Sequence, residues 1–83
     1  MERAVDTGAV IRFRGIVQGV GFRPLVYRKA RLQGLRGIIR NTEEGVYLRL
    51  DGPRERIDRF YREILENPPV FAEIHESSVE YTR

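Results

Sequence analysis

The fold of this chain is decided at the junction between an extended segment and a helical one. That junction has the sequence Gly15-Ile16-Val17-Gln18-Gly19-Val20-Gly21-Phe22-Arg23. Glycine reaches backbone conformations that other residues avoid, and it leaves neighbouring N–H groups uncovered. Where such a loop opens a helix, those N–H groups converge at the positive end of the helix dipole. We therefore predict an anion cradle at this loop, with Arg23 at its end.

Four segments around the loop have the apolar pattern of β-strands. Alternating apolar residues predict strands at 10–15, 35–41 and 46–50, and a turn at 42–45 joins the last two. Residues 71–81 form a fourth extended segment. The odd spacing of Ile74 and Val79 within it indicates a bulge or a bend.

Two further segments have the period of amphipathic helices. The first is predicted over 22–33, with Pro24 in its first turn and Gly34 just after its end. Its apolar stripe consists of Phe22, Leu25, Val26, Ala30 and Leu32. The second is predicted to start at 51–53 and to stop before Pro68, with a stripe of Ile57, Phe60, Tyr61, Ile64 and Leu65.

The element order is therefore strand, helix, strand, strand, helix, strand. Each helix has one apolar face, which needs a sheet face to cover. The simplest solution is an α+β ferredoxin-like sandwich, in which both helices pack on one face of an antiparallel βαββαβ sheet. With 83 residues, we expect one domain over 9–83, preceded by a flexible N-terminal tail over 1–8.

Composition excludes several classes of function. The chain has no cysteine and a single histidine, His75, so it offers neither a disulfide framework nor a thiolate or histidine metal cluster. We expect no cofactor and no metal. No apolar run approaches the ~20 residues that a membrane-spanning helix needs. We therefore expect no membrane partner and a cytoplasmic location.

Charge is distributed unevenly along the chain. Residues 7–42 contain no acid, whereas all 12 acidic residues lie outside that window. The window contains eight basic residues: Arg12, Arg14, Arg23, Arg28, Lys29, Arg31, Arg36 and Arg40. The glycine loop thus lies in the positive part of the sequence, which attracts small anions. Most of these arginines, Arg23 excepted, are expected on solvated faces.

The loop lacks the features of the common nucleotide-binding motifs. No Gly-Lys-Ser/Thr closes it, as a P-loop would require, and Pro24 stands where a dinucleotide fingerprint has its third glycine. A phosphate monoester or the end of a phosphoric anhydride remains as the ligand. Arg23 can bind two phosphate oxygens in a bidentate, charge-assisted pair. Asn41, at the end of the second predicted strand, is either a turn residue or an amide that orients a water.

Two sequence blocks together resemble the acylphosphatase family. The loop at 15–23 is similar to the family's signature loop, and Gly37-Ile38-Ile39-Arg40-Asn41-Thr42, followed by Gly45-Val46, is similar to its second block. The resemblance implies hydrolysis of a carboxyl-phosphate mixed anhydride without a metal. It also implies that the phosphate is bound by Arg23 and by the loop residues Gln18, Gly19, Val20, Gly21 and Phe22. Asn41 would position the attacking water.

A narrower resemblance is to the N-terminal acylphosphatase-like domain of HypF, a family of carbamoyltransferases of nickel–iron hydrogenase maturation. It depends on Phe22-Arg23-Pro24-Leu25-Val26-Tyr27 and on Pro68-Pro69 followed by Ala72-Glu73-Ile74. It makes carbamoyl phosphate one candidate substrate. It also leaves an alternative open, in which the domain binds phosphate or carbamoyl phosphate for a larger maturation factor and turns over little or none.

The expected partners follow from these resemblances. They are a small acyl phosphate as substrate and inorganic phosphate as product and inhibitor. We expect a monomer. Acylphosphatases usually continue into a short closing strand that is missing here, and the unpaired edge makes an edge-strand dimer the alternative. RNA binding by the sheet is a third hypothesis, but the central strand at 46–50 offers a single aromatic, Tyr47. We therefore expect no nucleic-acid partner.

Overall fold

The computed structural model describes residues 6–19 and 21–82 as one four-stranded sheet with two helices. In chain order the elements are β1 (Asp6–Ile16), α1 (Phe22–Leu32), β2 (Arg36–Asn41), β3 (Gly45–Pro53), α2 (Arg54–Glu66) and β4 (Glu73–Tyr81). The strands lie in the order β2-β3-β1-β4, and every neighbouring pair is antiparallel. This arrangement confirms the predicted βαββαβ ferredoxin-like sandwich.

The core lies between the sheet and the two helices, and strand alternation puts it there. Every second residue of the two central strands is buried: Ala9, Ile11 and Phe13 in β1, and Val46, Leu48 and Leu50 in β3. The helices cover this face with Phe22, Val26 and Ala30 from α1 and Ile57, Phe60 and Ile64 from α2. The opposite face of the sheet carries no helix, so its side chains are exposed or half-buried.

Helix α1 ends in a Schellman motif. The N–H of Leu35 donates to the carbonyl of Ala30 at 3.0 Å, and that of Gly34 donates to Arg31 at 2.9 Å. Gly34 has a φ of +72°, as this motif requires. Leu32 is 79% exposed, so the prediction that it belongs to the apolar stripe is wrong. Its position in the last turn directs it away from the sheet.

The two largest differences between predicted and observed strand boundaries have a shared reason. Strand β1 begins at Asp6, although residues 6–8 were expected in the tail, and β3 continues to Pro53 instead of stopping at Leu50. The extra residues pair with each other, since Thr7 lies opposite Gly52 and Gly8 opposite Asp51. Helix α2 consequently begins at Arg54. Residues 1–5 of the predicted tail lie outside the described residues.

Strand β4 contains the predicted bulge. Arg14 of β1 lies opposite Glu76, but the next residue, Gly15, lies opposite Ile74, so His75 is the extra residue. The bulge explains the odd spacing, because it returns Ile74 to the same sheet face as Val79. Among the described residues, β2 and β4 are edge strands with one neighbour each. Neither helix in this part of the chain is long and apolar enough to cross a membrane.

A matched pair of substitutions tests this assignment of core and surface. Ile57 is fully buried, so we expect Ile57→Ala to lower the free energy of unfolding by about 2–5 kcal/mol. Leu32→Ala removes a similar side chain from an exposed site and should change it by less than about 0.5 kcal/mol. Urea denaturation followed by circular dichroism measures both. Equal losses of unfolding free energy would mean that Leu32 packs against other residues and that the assignment of the core is wrong.

Candidate active site

The loop between β1 and α1 depends on two glycines with left-handed backbones. Gly19 has a φ of +74° and Gly21, the N-cap residue of α1, a φ of +80°. A Cβ on either would have no atom within 4 Å, so conformation, and not crowding, calls for glycine. Buried side chains fix both ends of the loop, Val17 before it and Phe22 after it. Val20, a predicted phosphate-binding residue, lies outside the described residues.

The first turn of α1 leaves its N–H groups available to a ligand. The N-cap residue is a glycine, which makes no side-chain capping bond, and the first turn contains no acid. Helix geometry leaves the N–H groups of Phe22 and Arg23 without an intrahelical acceptor, and Pro24 has no N–H. The side chain of Arg23 is exposed and makes no salt bridge with another described residue. Positive charge and N–H donors thus occur together at this helix end.

The sheet topology places Asn41 at the same edge as the loop. Strands β1 and β2 are each antiparallel to β3, so they run parallel to one another. Their C-terminal ends therefore lie at one edge of the sheet. That edge carries the loop after Ile16 and also Asn41, which is exposed and is the last residue of β2.

The side chain of Gln18 joins the loop to the turn that follows Asn41. Its Nε2 donates to the carbonyl oxygen of Thr42 at 2.6 Å and to that of Gly45 at 2.7 Å. Gln18 was predicted to bind phosphate, and this contact leaves its backbone N–H as the group for that role. The sequence reasoning missed the link because the partners are 24 and 27 residues away along the chain.

The turn at 42–45 is itself well connected. Thr42 Oγ1 accepts hydrogen bonds from the N–H groups of Glu44 at 3.3 Å and of Gly45 at 3.2 Å. Arg14 forms ion pairs with Glu44 of this turn and with Glu76 of β4. Hydrogen bonds to Glu44 first, and then to Glu76, raise the pKa of Arg14 above its ordinary value. These contacts connect the turn between β2 and β3, which directly follows Asn41, to the glycine loop and to strands β1 and β4.

The site offers no ready set of metal ligands. Within residues 6–19 and 21–82, no three His, Cys, Asp or Glu side chains converge on one point. The groups predicted to form the site are backbone N–H donors of the loop, the guanidinium of Arg23 and the carboxamide of Asn41. Groups of this chemical kind are able to bind an anion and to orient a water.

A substitution at Gln18 tests the link between loop and turn. Gln18→Leu keeps the approximate size of the side chain but removes both donated hydrogen bonds. Because the loop amides would then be less well ordered, we expect the Kd for inorganic phosphate to rise about tenfold. Isothermal titration calorimetry measures the affinity, and circular dichroism checks the fold. Unchanged phosphate affinity in a folded variant would show that the loop is ordered without Gln18.

The comparisons with known proteins agree with this fold. The sequence model of the acylphosphatase family matches residues 9–83. An acylphosphatase of Thermotoga maritima is 40% identical over 73 residues, which is 87% of this chain and 80% of that protein. A probable carbamoyltransferase HypF of Methanocaldococcus jannaschii is 37% identical over 70 residues, or 84% of this chain. The present chain spans only 9% of that relative's length.

Solved structures similar to this chain belong to the same two groups, HypF proteins and acylphosphatases. A full-length HypF, crystallised in a phosphate- and nucleotide-bound form, superimposes with a TM-score of 0.94 at 40% identity. The match covers 98% of this chain and 11% of that one. An acylphosphatase from Bacillus subtilis superimposes with a TM-score of 0.83 at 29% identity, covering 95% of this chain and 87% of the other. Both the resemblance to acylphosphatases and that to HypF are confirmed, and the chain belongs to the acylphosphatase family.

Proposed function

We propose that this domain hydrolyses acyl phosphates to a carboxylate and inorganic phosphate. The observation that carries the proposal is the uncapped start of α1, where a glycine loop, free N–H groups and Arg23 occur together. Such a site suits a tetrahedral dianion. Its position beside Asn41, at the shared edge of β1 and β2, supplies a second polar group for the reaction.

The chemistry of the substrate explains why so few residues suffice. In a carboxyl-phosphate anhydride the leaving group is a carboxylate, whose conjugate acid has a pKa of about 4. It leaves as an anion, so no side chain has to protonate it. A water oxygen forms the new bond to phosphorus while the bond to the acyl oxygen breaks. The proton of the water passes to a phosphoryl oxygen of the substrate.

Each proposed residue has one task in this scheme. Arg23 and the N–H groups of Gln18, Gly19, Gly21 and Phe22 stabilise the charge that the transition state spreads over the phosphoryl oxygens. The amide of Asn41 orients the water in line with the leaving group. Val20 belongs to the same set in the sequence prediction. No task in the scheme requires a metal ion.

An assay with three acyl phosphates tests the proposal. We expect hydrolysis of acetyl, benzoyl and carbamoyl phosphate, and no hydrolysis of phenyl phosphate, whose phenol has a pKa of about 10 and leaves poorly. Inorganic phosphate should inhibit competitively, and EDTA should leave the rate unchanged. The proposed hydrolysis would be excluded if none of the three acyl phosphates were turned over. Loss of activity on adding EDTA would contradict the metal-free scheme.

A second candidate function is favoured by one observation. The chain superimposes better on full-length HypF than on the separate acylphosphatase of Bacillus subtilis, with TM-scores of 0.94 and 0.83. In this alternative the domain binds phosphate or carbamoyl phosphate for a larger maturation factor and hydrolyses little or none of it. The same assay distinguishes the two, because binding of inorganic phosphate without turnover of any substrate favours the alternative.

A further inference from the structure

The face of the sheet that carries no helix has an ordered row of side chains across three strands. Arg40 of β2, Tyr47 of β3 and Arg12 of β1 lie directly opposite one another. The guanidinium carbon of Arg40 lies 4.8 Å from the centre of the Tyr47 ring, and that of Arg12 lies 5.4 Å away. These are cation–π contacts, one from each neighbouring strand. We call these three residues the arginine–tyrosine row.

The row is basic and has few acidic partners. Arg12 and Arg40, and also Arg49 in the next row, make no salt bridge with another residue of the described part of the chain. Arg14, on the same face, differs because Glu44 and Glu76 already pair with it. Both Arg12 and Arg40 are exposed, so their guanidinium N–H groups are accessible to a bidentate acceptor.

Two shallow depressions adjoin the row. One, of about 420 Å³, is lined by Arg12, Arg14, Glu76, Ser77 and Ser78. The other, of about 280 Å³, includes Arg12, Arg40 and Tyr47 in its lining. Both include Arg12, so an anionic group has space on either side of that guanidinium. The second depression also borders Thr42 and Gly45 of the turn, but Arg12, Arg40 and Tyr47 have no role in the proposed hydrolysis.

We propose that the arginine–tyrosine row docks an acidic surface of a protein partner, with one carboxylate at Arg12 and another at Arg40. The two arginines come from strands two positions apart, which separates them by about 10 Å. Carboxylates seven residues apart on a helix have the same separation, about 10.5 Å. The partner chemistry is therefore a helical segment with glutamates or aspartates at that spacing.

Other occupants suit this face less well. Nucleic-acid-binding sheets need free aromatic faces for base stacking, and the Tyr47 ring already has cation–π contacts with two arginines. Glu76 and Glu80 lie in the rows on either side, and they would repel a continuous polyphosphate while leaving room for separate carboxylates. A second copy of this chain, stacked face to face, would bring arginines against arginines.

A peptide titration tests the proposal. The probe is an alanine-based helical peptide with glutamates at seven-residue intervals, added to ¹⁵N-labelled protein at about 0.15 M salt, where long-range attraction is screened. We expect the amide shifts to concentrate on the face that carries Arg12, Arg40 and Tyr47. Shifts concentrated on the helices, or no shifts, would overturn the proposal.

Variants of equal charge separate the row from general attraction. Arg12→Gln/Arg40→Gln should weaken peptide binding about tenfold. The control Arg59→Gln/Arg62→Gln, which removes two exposed arginines from α2, should weaken it less than about twofold. Tyr47→Leu keeps every charge and should weaken binding about threefold, because the guanidinium groups lose their support.

Four other results of these binding measurements would overturn the proposed docking of a helical partner. Equal weakening by the two double variants would overturn the proposal, as would full affinity in Tyr47→Leu. An oligothymidine of matched charge that binds more tightly than the peptide would assign the face to nucleic acid instead. Sedimentation that shows self-association through this face, abolished by Arg12→Gln/Arg40→Gln, would assign it to a second copy.

Discussion

Replacing Arg23 by glutamine should abolish measurable hydrolysis of acyl phosphates. Arg23 is the second residue of α1 and the one side-chain cation at the start of that helix. Its guanidinium is proposed to bind two phosphoryl oxygens and to stabilise the charge that the transition state spreads over them. Removing it should lower kcat/KM on the order of a thousandfold. The Kd for inorganic phosphate should rise about 10- to 100-fold, since a charge-assisted bidentate pair is lost.

The matched control for this prediction is Arg28→Gln. Arg28 is also exposed and lies on the same helix, but it is more than one turn away from the N-terminus. Steady-state kinetics with benzoyl phosphate should show near-normal rates for Arg28→Gln. Arg23→Lys keeps the charge but not the planar fork, and should recover only part of the activity. Normal turnover by Arg23→Gln would remove this guanidinium from the mechanism.

Replacing Asn41 by alanine should separate catalysis from phosphate binding. The amide of Asn41 is proposed to contact the attacking water and not the phosphoryl group. We therefore expect kcat to fall about a hundredfold, which is the typical cost of a misplaced reactant. The Kd for inorganic phosphate should stay within about twofold of wild type, since no phosphate contact is removed.

Asn67→Ala is the control for the asparagine substitution. Asn67 caps α2 through its backbone N–H, which donates to Glu63 at 2.9 Å, so alanine preserves that bond. Stopped-flow or steady-state rates together with phosphate calorimetry measure both quantities. If Asn41→Ala weakened phosphate binding as strongly as it lowered kcat, Asn41 would be a phosphate ligand instead. A normal kcat would make it a turn residue.

Local sequence pattern was sufficient for the element order and for most of the core. Alternation in Ile11, Phe13, Val46 and Leu48 predicts which sheet face is buried, because successive side chains of a strand point to opposite faces. The four-residue spacing of Phe22, Val26 and Ala30 predicts the buried stripe of α1 for a similar reason. The bulge in β4 was also predictable, since an inserted residue shifts the alternation.

The candidate site was partly predictable. The glycines of the loop, Arg23 and Asn41 can be selected from their residue types and from the family resemblance. Their roles in binding and hydrolysis stay predictions until the substitutions above are measured. Sequence pattern alone could not show that the loop and the end of β2 lie at the same end of the sheet. They do so because β1 and β2 run parallel to each other in the folded sheet.

Contacts between distant parts of the chain decided the rest. The boundaries of β1 and β3 moved because each strand lengthens the other, and the exposure of Leu32 depends on how α1 lies on the sheet. Gln18 donates to carbonyl groups 24 and 27 residues away, and Arg14 pairs with Glu76, 62 residues away. Periodicity reports only which face of its own element a residue occupies. The partner across the fold is chosen by strand register and helix packing, and these exist only once the chain has folded.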